Sequence, residues 1–179
     1  SSDLLMAAGD GSSPRWHAGI ETTANVLAQK IKAQIPDLRT DFPGVLGSAV
    51  KYGPAYDDAL ASTSMALNLS RRNDSYLYSS DRIAQVMGCG LLTFIDRATG
   101  LGLFFSDDEV AFYSDEDELI EKIRFYKEYD QERQKIAYAG WLNYRNKFSS
   151  TRVASFILSV TYGQTDPTEF YWNKTDIMK

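Results

Sequence analysis

This sequence predicts an α/β domain: a mostly parallel sheet of about five strands, flanked by helices and followed by further C-terminal helices. Three observations carry the expectation. Short, nearly continuous apolar runs recur through the first two thirds of the chain, as strands covered on both faces require. Between them lie stretches with apolar residues at three- and four-residue spacing, the mark of amphipathic helices. After Ser114 only the helical spacing continues.

Taken in order, Leu4 to Ala8 reads as the first strand, and Gly9-Asp10-Gly11-Ser12-Ser13-Pro14-Arg15 as a turn-rich loop after it. From about Ala18, the residues Ile20, Ala24, Leu27, Ile31 and Ile35 share one helical face, and the helix ends before Pro36. Leu38 to Phe42 is the second strand, which completes a βαβ unit. Pro54 opens a helix with Tyr56, Ala59, Leu60 and Thr63 on one face, and Ser64 to Leu69 forms the third strand. A polar loop then leads to a short helix N-capped by Ser80 and closed by Gly88-Cys89-Gly90. On that helix Asp81, Gln85 and Gly88 share the polar face, while Ile83, Val86 and Met87 form the buried one.

Gly90 to Ile95 and Glu109 to Tyr113 are the remaining strands. Ser114-Asp115-Glu116-Asp117 supplies an N-cap and acidic first turn to the next helix, and another spans Asp130 to Lys147. A last helix, with Val153, Phe156, Ile157 and Val160 on one face, ends near Gly163. The expected organisation is one domain over 1–163 and a tail over 164–179, whose Phe170, Tyr171 and Trp172 should dock on this or another domain.

Composition narrows the function. The chain has 179 residues, 44% hydrophobic and 13% aromatic, enough to bury a core. A net charge of −5, with acidic residues concentrated between Ser106 and Glu132, argues against a nucleic-acid partner. The single cysteine, Cys89, expected to be packed at a helix–strand junction, excludes an internal disulfide and fits a reducing compartment. No apolar run approaches the roughly 20 residues that span a bilayer, so the expectation is a cytoplasmic protein with at most peripheral contact at the inner face of a membrane. The opening on a strand pattern suggests one domain of a larger protein. The single histidine, His17, expected in a loop beside Trp16, has no nucleophile elbow near it; this argues against Ser-His-Asp or Cys-His hydrolysis, and no metal-ligand cluster is evident.

In an open α/β sheet, strand-to-helix loops sit at the carboxyl edge, where ligands bind and helix amides point at anions. Two loops qualify. The first brings Gly9, Gly11 and Arg15; the second brings Arg71, Ser79, Ser80 and Arg82. Cations and a helix N-terminus together suit a phosphate. Plainer alternatives are an ion pair of Arg71 or Arg72 with Asp74, and Ser79 or Ser80 acting only as helix caps.

The order of elements, with Leu67-Asn68-Leu69-Ser70, Tyr78-Ser79-Ser80-Asp81-Arg82-Ile83 and Met87-Gly88-Cys89-Gly90, resembles the C-terminal, donor-binding Rossmann-like half of the group 1 GT-B glycosyltransferases of bacterial polysaccharide synthesis. The likeness runs from about Asp3 to Tyr162 and includes Leu91-Leu92-Thr93 and the closing helices. It implies transfer of a sugar from a UDP- or GDP-linked donor to a glycan or lipid-linked acceptor, without a tightly bound metal or other cofactor. It also implies a partner N-terminal domain in whose absence this domain is inactive. The family's two glutamates, eight positions apart, fall on Leu77 and Gln85. The resemblance therefore assigns ribose contact to Gln85 and names no catalytic residue. Alternatives are a non-catalytic nucleotide-binding module and a GT-B-fold sugar-nucleotide epimerase.

Overall fold

The computed structural model describes residues 2–71, 77–163 and Phe170. In chain order the elements are β1 (Ser2–Leu5), β2 (Pro14–His17), β3 (Ile20–Thr23), α1 (Ala24–Gln34), β4 (Thr40–Asp41), α2 (Pro54–Ala61), β5 (Thr63–Asn68), α3 (Asp81–Gly88), β6 (Leu92–Asp96), β7 (Ala111–Tyr113), α4 (Glu116–Glu128), α5 (Asp130–Phe148) and α6 (Ser150–Thr161). Five strands form one sheet in the order β4-β1-β5-β6-β7, with every pairing parallel. All of β6 and β7 and the last four residues of β5 are buried, which is why these strands read as nearly continuous apolar runs broken only by Asn68, Thr93 and Asp96.

Successive strand residues face opposite ways, so the two sides of the sheet build two cores. Leu4, Met65, Leu67 and Phe94 pack with Leu27 and Ile31 of α1 and Leu119 and Ile123 of α4. Leu5, Ala66, Ile95 and Phe112 pack with Leu60 of α2 and Ile83, Val86 and Met87 of α3. Each large apolar side chain so buried is worth about 1.5–3 kcal/mol. Helix α5 approaches the sheet through Gly140, where an added Cβ would lie 2.1 Å from the Glu109 carbonyl oxygen.

The chain runs from β1 outward to β4, then returns past β1 to β5 and continues in the opposite direction. Strand order therefore reverses between β1 and β5, and the loops leaving their carboxyl ends diverge to leave a crevice.

The helix expected from Ala18 begins only at Ala24, where the Thr23 side chain accepts from the Val26 amide at 3.2 Å. In its place stands the antiparallel β2–β3 hairpin, which turns at Ala18 and Gly19 with φ of 51° and 78°. Consecutive left-handed residues match the twist of a two-residue hairpin, and Ile20 is 52% exposed rather than part of a buried stripe. His17 is thus a buried strand residue, not a loop residue. Cys89 is exposed, because the C-cap of α3 turns it outward while Leu91, two residues on, is buried. Within the expected capping stretch Asp115 is the N-cap of α4, its carboxylate accepting from the Glu118 amide at 2.8 Å. On α6, Val153, Ile157 and Val160 are exposed. Phe170 of the tail is buried, edge-on to Phe156 at 5.1 Å with Arg152 over its ring. Tyr171, Trp172 and the Arg72–Asp74 pairing lie outside the described residues.

Candidate functional site

Beyond β1 the backbone keeps pairing with the segment after β4: the Met6 amide donates to the Asp41 carbonyl at 3.1 Å and the Ala8 amide to Pro43 at 3.0 Å. This carries Gly9 to the mouth of the crevice. The Asp10 carboxylate then folds the loop, accepting from the Ser12 hydroxyl at 2.6 Å, the Ser12 amide at 2.9 Å and the Ser13 hydroxyl at 2.9 Å. Those bonds, led by the Ser12 hydroxyl, hold Asp10 ionised down to a pKa of about 2. The two loop glycines differ. Gly9 has open space around its Cβ direction, whereas a Cβ on Gly11 would meet Asn25 Oδ1 at 2.3 Å and the Gly44 carbonyl oxygen at 2.9 Å. Gly11 permits close packing of the loop on α1, and Gly9 faces the open side.

Arg15 reaches the crevice on the hairpin. Its side chain is only 1% exposed, Nη1 donates to the Pro14 carbonyl at 3.1 Å, and Nη2 has no partner among the described residues. The hairpin is fastened over the carboxyl edge at three points. The Trp16 amide donates to the Ser70 carbonyl at 3.2 Å, His17 Nδ1 shares a hydrogen bond with the Tyr113 hydroxyl at 3.1 Å, and Asp96 Oδ2 accepts from the Ala18 amide at 2.9 Å. Burial holds His17 below its usual pKa against the opposing charges of Asp96 and Glu116, and burial raises that of the Tyr113 phenol.

Arg82, in the first turn of α3, donates through Nη1 to the Leu69 carbonyl at 3.1 Å, and exposed Arg71 follows Ser70 at the end of β5. The structure thus brings Arg15, Arg71 and Arg82 together. Burial, then repulsion from Arg71 and Arg82, lowers the proton affinity of Arg15; burial and Arg71 likewise lower that of Arg82. None of the three has a carboxylate partner among the described residues. The charges of Asp10 and Asp81 act on Arg15 and Arg82 only without direct contact, and a buried cation such as Arg15 that makes no salt bridge is expensive and is a mark of a functional site.

Five buried side-chain atoms lack a hydrogen-bond partner among the described residues: Arg15 Nη2, His17 Nε2, Asn68 Oδ1, Ser70 Oγ and Ser80 Oγ. All belong to the hairpin or to the stretch from the last residue of β5 to the N-cap of α3. Each such group left unpaired costs about 1–3 kcal/mol, so their concentration at one edge points to ligand chemistry there. Ser80 occupies the N-cap position of α3, but its hydroxyl makes no capping bond, and Ser79 Oγ donates to the Ser80 carbonyl at 3.3 Å. The Ile83 amide donates to the Ser80 carbonyl at 3.2 Å, and no side chain among the described residues caps α3.

On the other side of Arg82 lies a cleft of about 260 Å³ bordered by Gly9, Tyr52, Tyr56, Asp81, Arg82 and Gln85. The expected residues divide accordingly: Arg15, Arg71, Arg82 and Ser80 gather at the arginine cluster, Gly9 and Gln85 at the cleft, Ser79 on the loop before α3, and Gly11 behind the loop. Tyr56, Asn68 and Asp81 were not singled out as ligands by sequence. Asn68 and Asp81 lay within the motif that carried the resemblance, and Tyr56 looked like a core position.

The family described as glycosyl transferase-like matches residues 25–159, and the chain belongs to that family. Among curated proteins, none matches the sequence. The crystal structure of an α1,3-fucosyltransferase is similar in fold, with a TM-score of 0.59 at 12% identity, over 92% of this chain and 46% of that one. The chain thus spans less than half the length of that enzyme. The Rossmann-like α/β fold that the sequence predicts is the fold observed, and with the family it makes this a glycosyltransferase domain of GT-B type.

Proposed function

We propose that this domain binds the nucleoside diphosphate of a UDP- or GDP-linked sugar at the crevice between β1 and β5 and, with a partner N-terminal domain, transfers the sugar to a glycan or lipid-linked acceptor. The observation that supports it most is the buried guanidinium of Arg15, whose Nη2 has no hydrogen-bond partner among the described residues and which converges with Arg71 and Arg82 where strand order reverses. Sugar transfer breaks the bond to the diphosphate, so negative charge grows on the leaving oxygens. Arginine donors and the leading amides of α3 are fixed in advance to stabilise that charge, which is how an electrostatic site accelerates such a step. With that charge supplied by side chains and amides, no tightly bound metal is required in this reading.

Gly9 gives the ligand a close backbone approach and Gln85 meets ribose hydroxyls, donating and accepting through its carboxamide. Calorimetry with UDP, GDP and ADP tests the site. Heat from at least one at micromolar to low millimolar ligand is expected, and none from well-folded protein at millimolar ligand refutes it. One observation favours the non-catalytic nucleotide-binding reading: Leu77, at the family's first glutamate position, has φ of 59° and packs on the core cluster that includes Ile83 and Val86. Joined to its partner domain, a catalyst turns over sugar nucleotide and a binding module does not.

A further inference from the structure

We propose that Asp81 reads hydroxyl groups of the ligand, an inference that rests on the diphosphate site proposed above. Asp81 and Gln85 stand one helical turn apart on α3, and both border the 260 Å³ cleft. Among the described residues neither side chain has a hydrogen-bond or ion-pair partner. Arg82, between them in sequence, borders the same cleft and feels both the opposing charge of Asp81 and the repulsion of Arg71. A ligand whose diphosphate lies on the arginines therefore continues into a cleft with a carboxylate and a carboxamide that make no hydrogen bond among the described residues.

That pair suits a vicinal diol. An ionised carboxylate accepts from two neighbouring hydroxyls, and the carboxamide both donates and accepts. Asp81 also stands in the first turn of α3, where its charge suits the helix N-terminus and offsets part of that of Arg82, so a contact with hydroxyls is an additional role and is read from the ligand dependence of its replacement. Asp81 is the one carboxylate among the described residues that line this cleft. The diol belongs either to the ribose or to the transferred sugar, which share this chemistry.

The sign of the response to Asp81→Asn decides the matter. Calorimetry on the full chain compares inorganic pyrophosphate, UDP and GDP, their 2′-deoxy forms, and UDP-glucose and GDP-mannose, with thermal melting to confirm folding. Loss of a bond to a charged acceptor should weaken the hydroxyl-bearing ligand roughly ten- to a hundredfold, while pyrophosphate binds as well or more tightly. A ribose diol predicts that UDP or GDP weakens and the 2′-deoxy form, already weak, does not change. A sugar diol predicts that only the sugar nucleotide weakens. Unchanged affinity for all ligands, or a parallel tightening of all, overturns the role of Asp81 while leaving the diphosphate site intact. Failure of the unaltered protein to bind pyrophosphate or any nucleotide overturns the site and the inference together.

Discussion

Replacing Arg82 with alanine separates a ligand-binding guanidinium from a structural one. The folded domain loses a single hydrogen bond to the Leu69 carbonyl at 3.1 Å, worth about 1 kcal/mol net. Part of that is returned, because the partly buried Arg82 is desolvated and its removal relieves repulsion with Arg71 and Arg15, against the lost attraction of Asp81. The variant should therefore melt within a few degrees of the parent. Diphosphate binding should fall much more, by about 1.5–3 kcal/mol, the range for a hydrogen bond to a charged group, or roughly ten- to a hundredfold in Kd. Calorimetry with the tightest-binding nucleotide, alongside a thermal melt, gives both numbers. If Arg82→Ala melts far below the parent yet binds with unchanged affinity in its folded fraction, Arg82 is a structural residue and the anion site is misplaced.

Arg15→Ala should weaken the same nucleotide by at least as much as Arg82→Ala while raising thermal stability, since it removes an unpaired buried charge; a large drop in melting temperature instead would mean that the guanidinium is needed for folding. Gly11→Ala should destabilise by about 1–3 kcal/mol through collision with Asn25 and the Gly44 carbonyl, whereas Gly9→Ala should leave the melting temperature nearly unchanged and affect ligand affinity, a contrast read by paired melts and titrations. His17 titrates lower in the fold than its unfolded value of about 6.5, so the unfolded chain takes up the proton first and stability should fall as pH drops below that value; His17→Gln should flatten the pH dependence of denaturant midpoints there, and an unaltered slope would exclude His17 as its source. Without a partner domain the chain should bind a sugar nucleotide yet transfer no sugar to an acceptor, so that a coupled assay detects no released nucleoside diphosphate.

The parallel sheet was legible because two-sided burial leaves its own mark: Met65 to Leu69 and Leu92 to Ile95 carry apolar residues with few breaks. Helix α3 was legible in full, as Ile83, Val86 and Met87 keep one face buried and Asp81 and Gln85 the other exposed. The β2–β3 hairpin was not. Its inward residues are Arg15 and His17, so its alternation runs against the usual apolar-inside pattern, and Ile20 with Ala24 mimicked the start of a helical stripe. The same inversion explains how the candidate site could be half read. Sequence flags arginines near a turn, but not that one of them is 1% exposed and meets the other two from a separate element. Likewise nothing local distinguishes Gly9 from Gly11, because their difference lies in Asn25 and Gly44, which only the fold brings near.

The hairpin also has a mechanical consequence. Through Trp16 it grips the exit of β5, through Ala18 and His17 the ends of β6 and β7, and it leaves the sheet by the loop after β1. It acts as a crossbar over four strand ends that would otherwise move as separate loops. The Trp16 and Ala18 amides, bonded to Ser70 and Asp96, can both be released by a single lifting of that bar, so their hydrogen exchange should slow in concert when a nucleotide seats against Arg15.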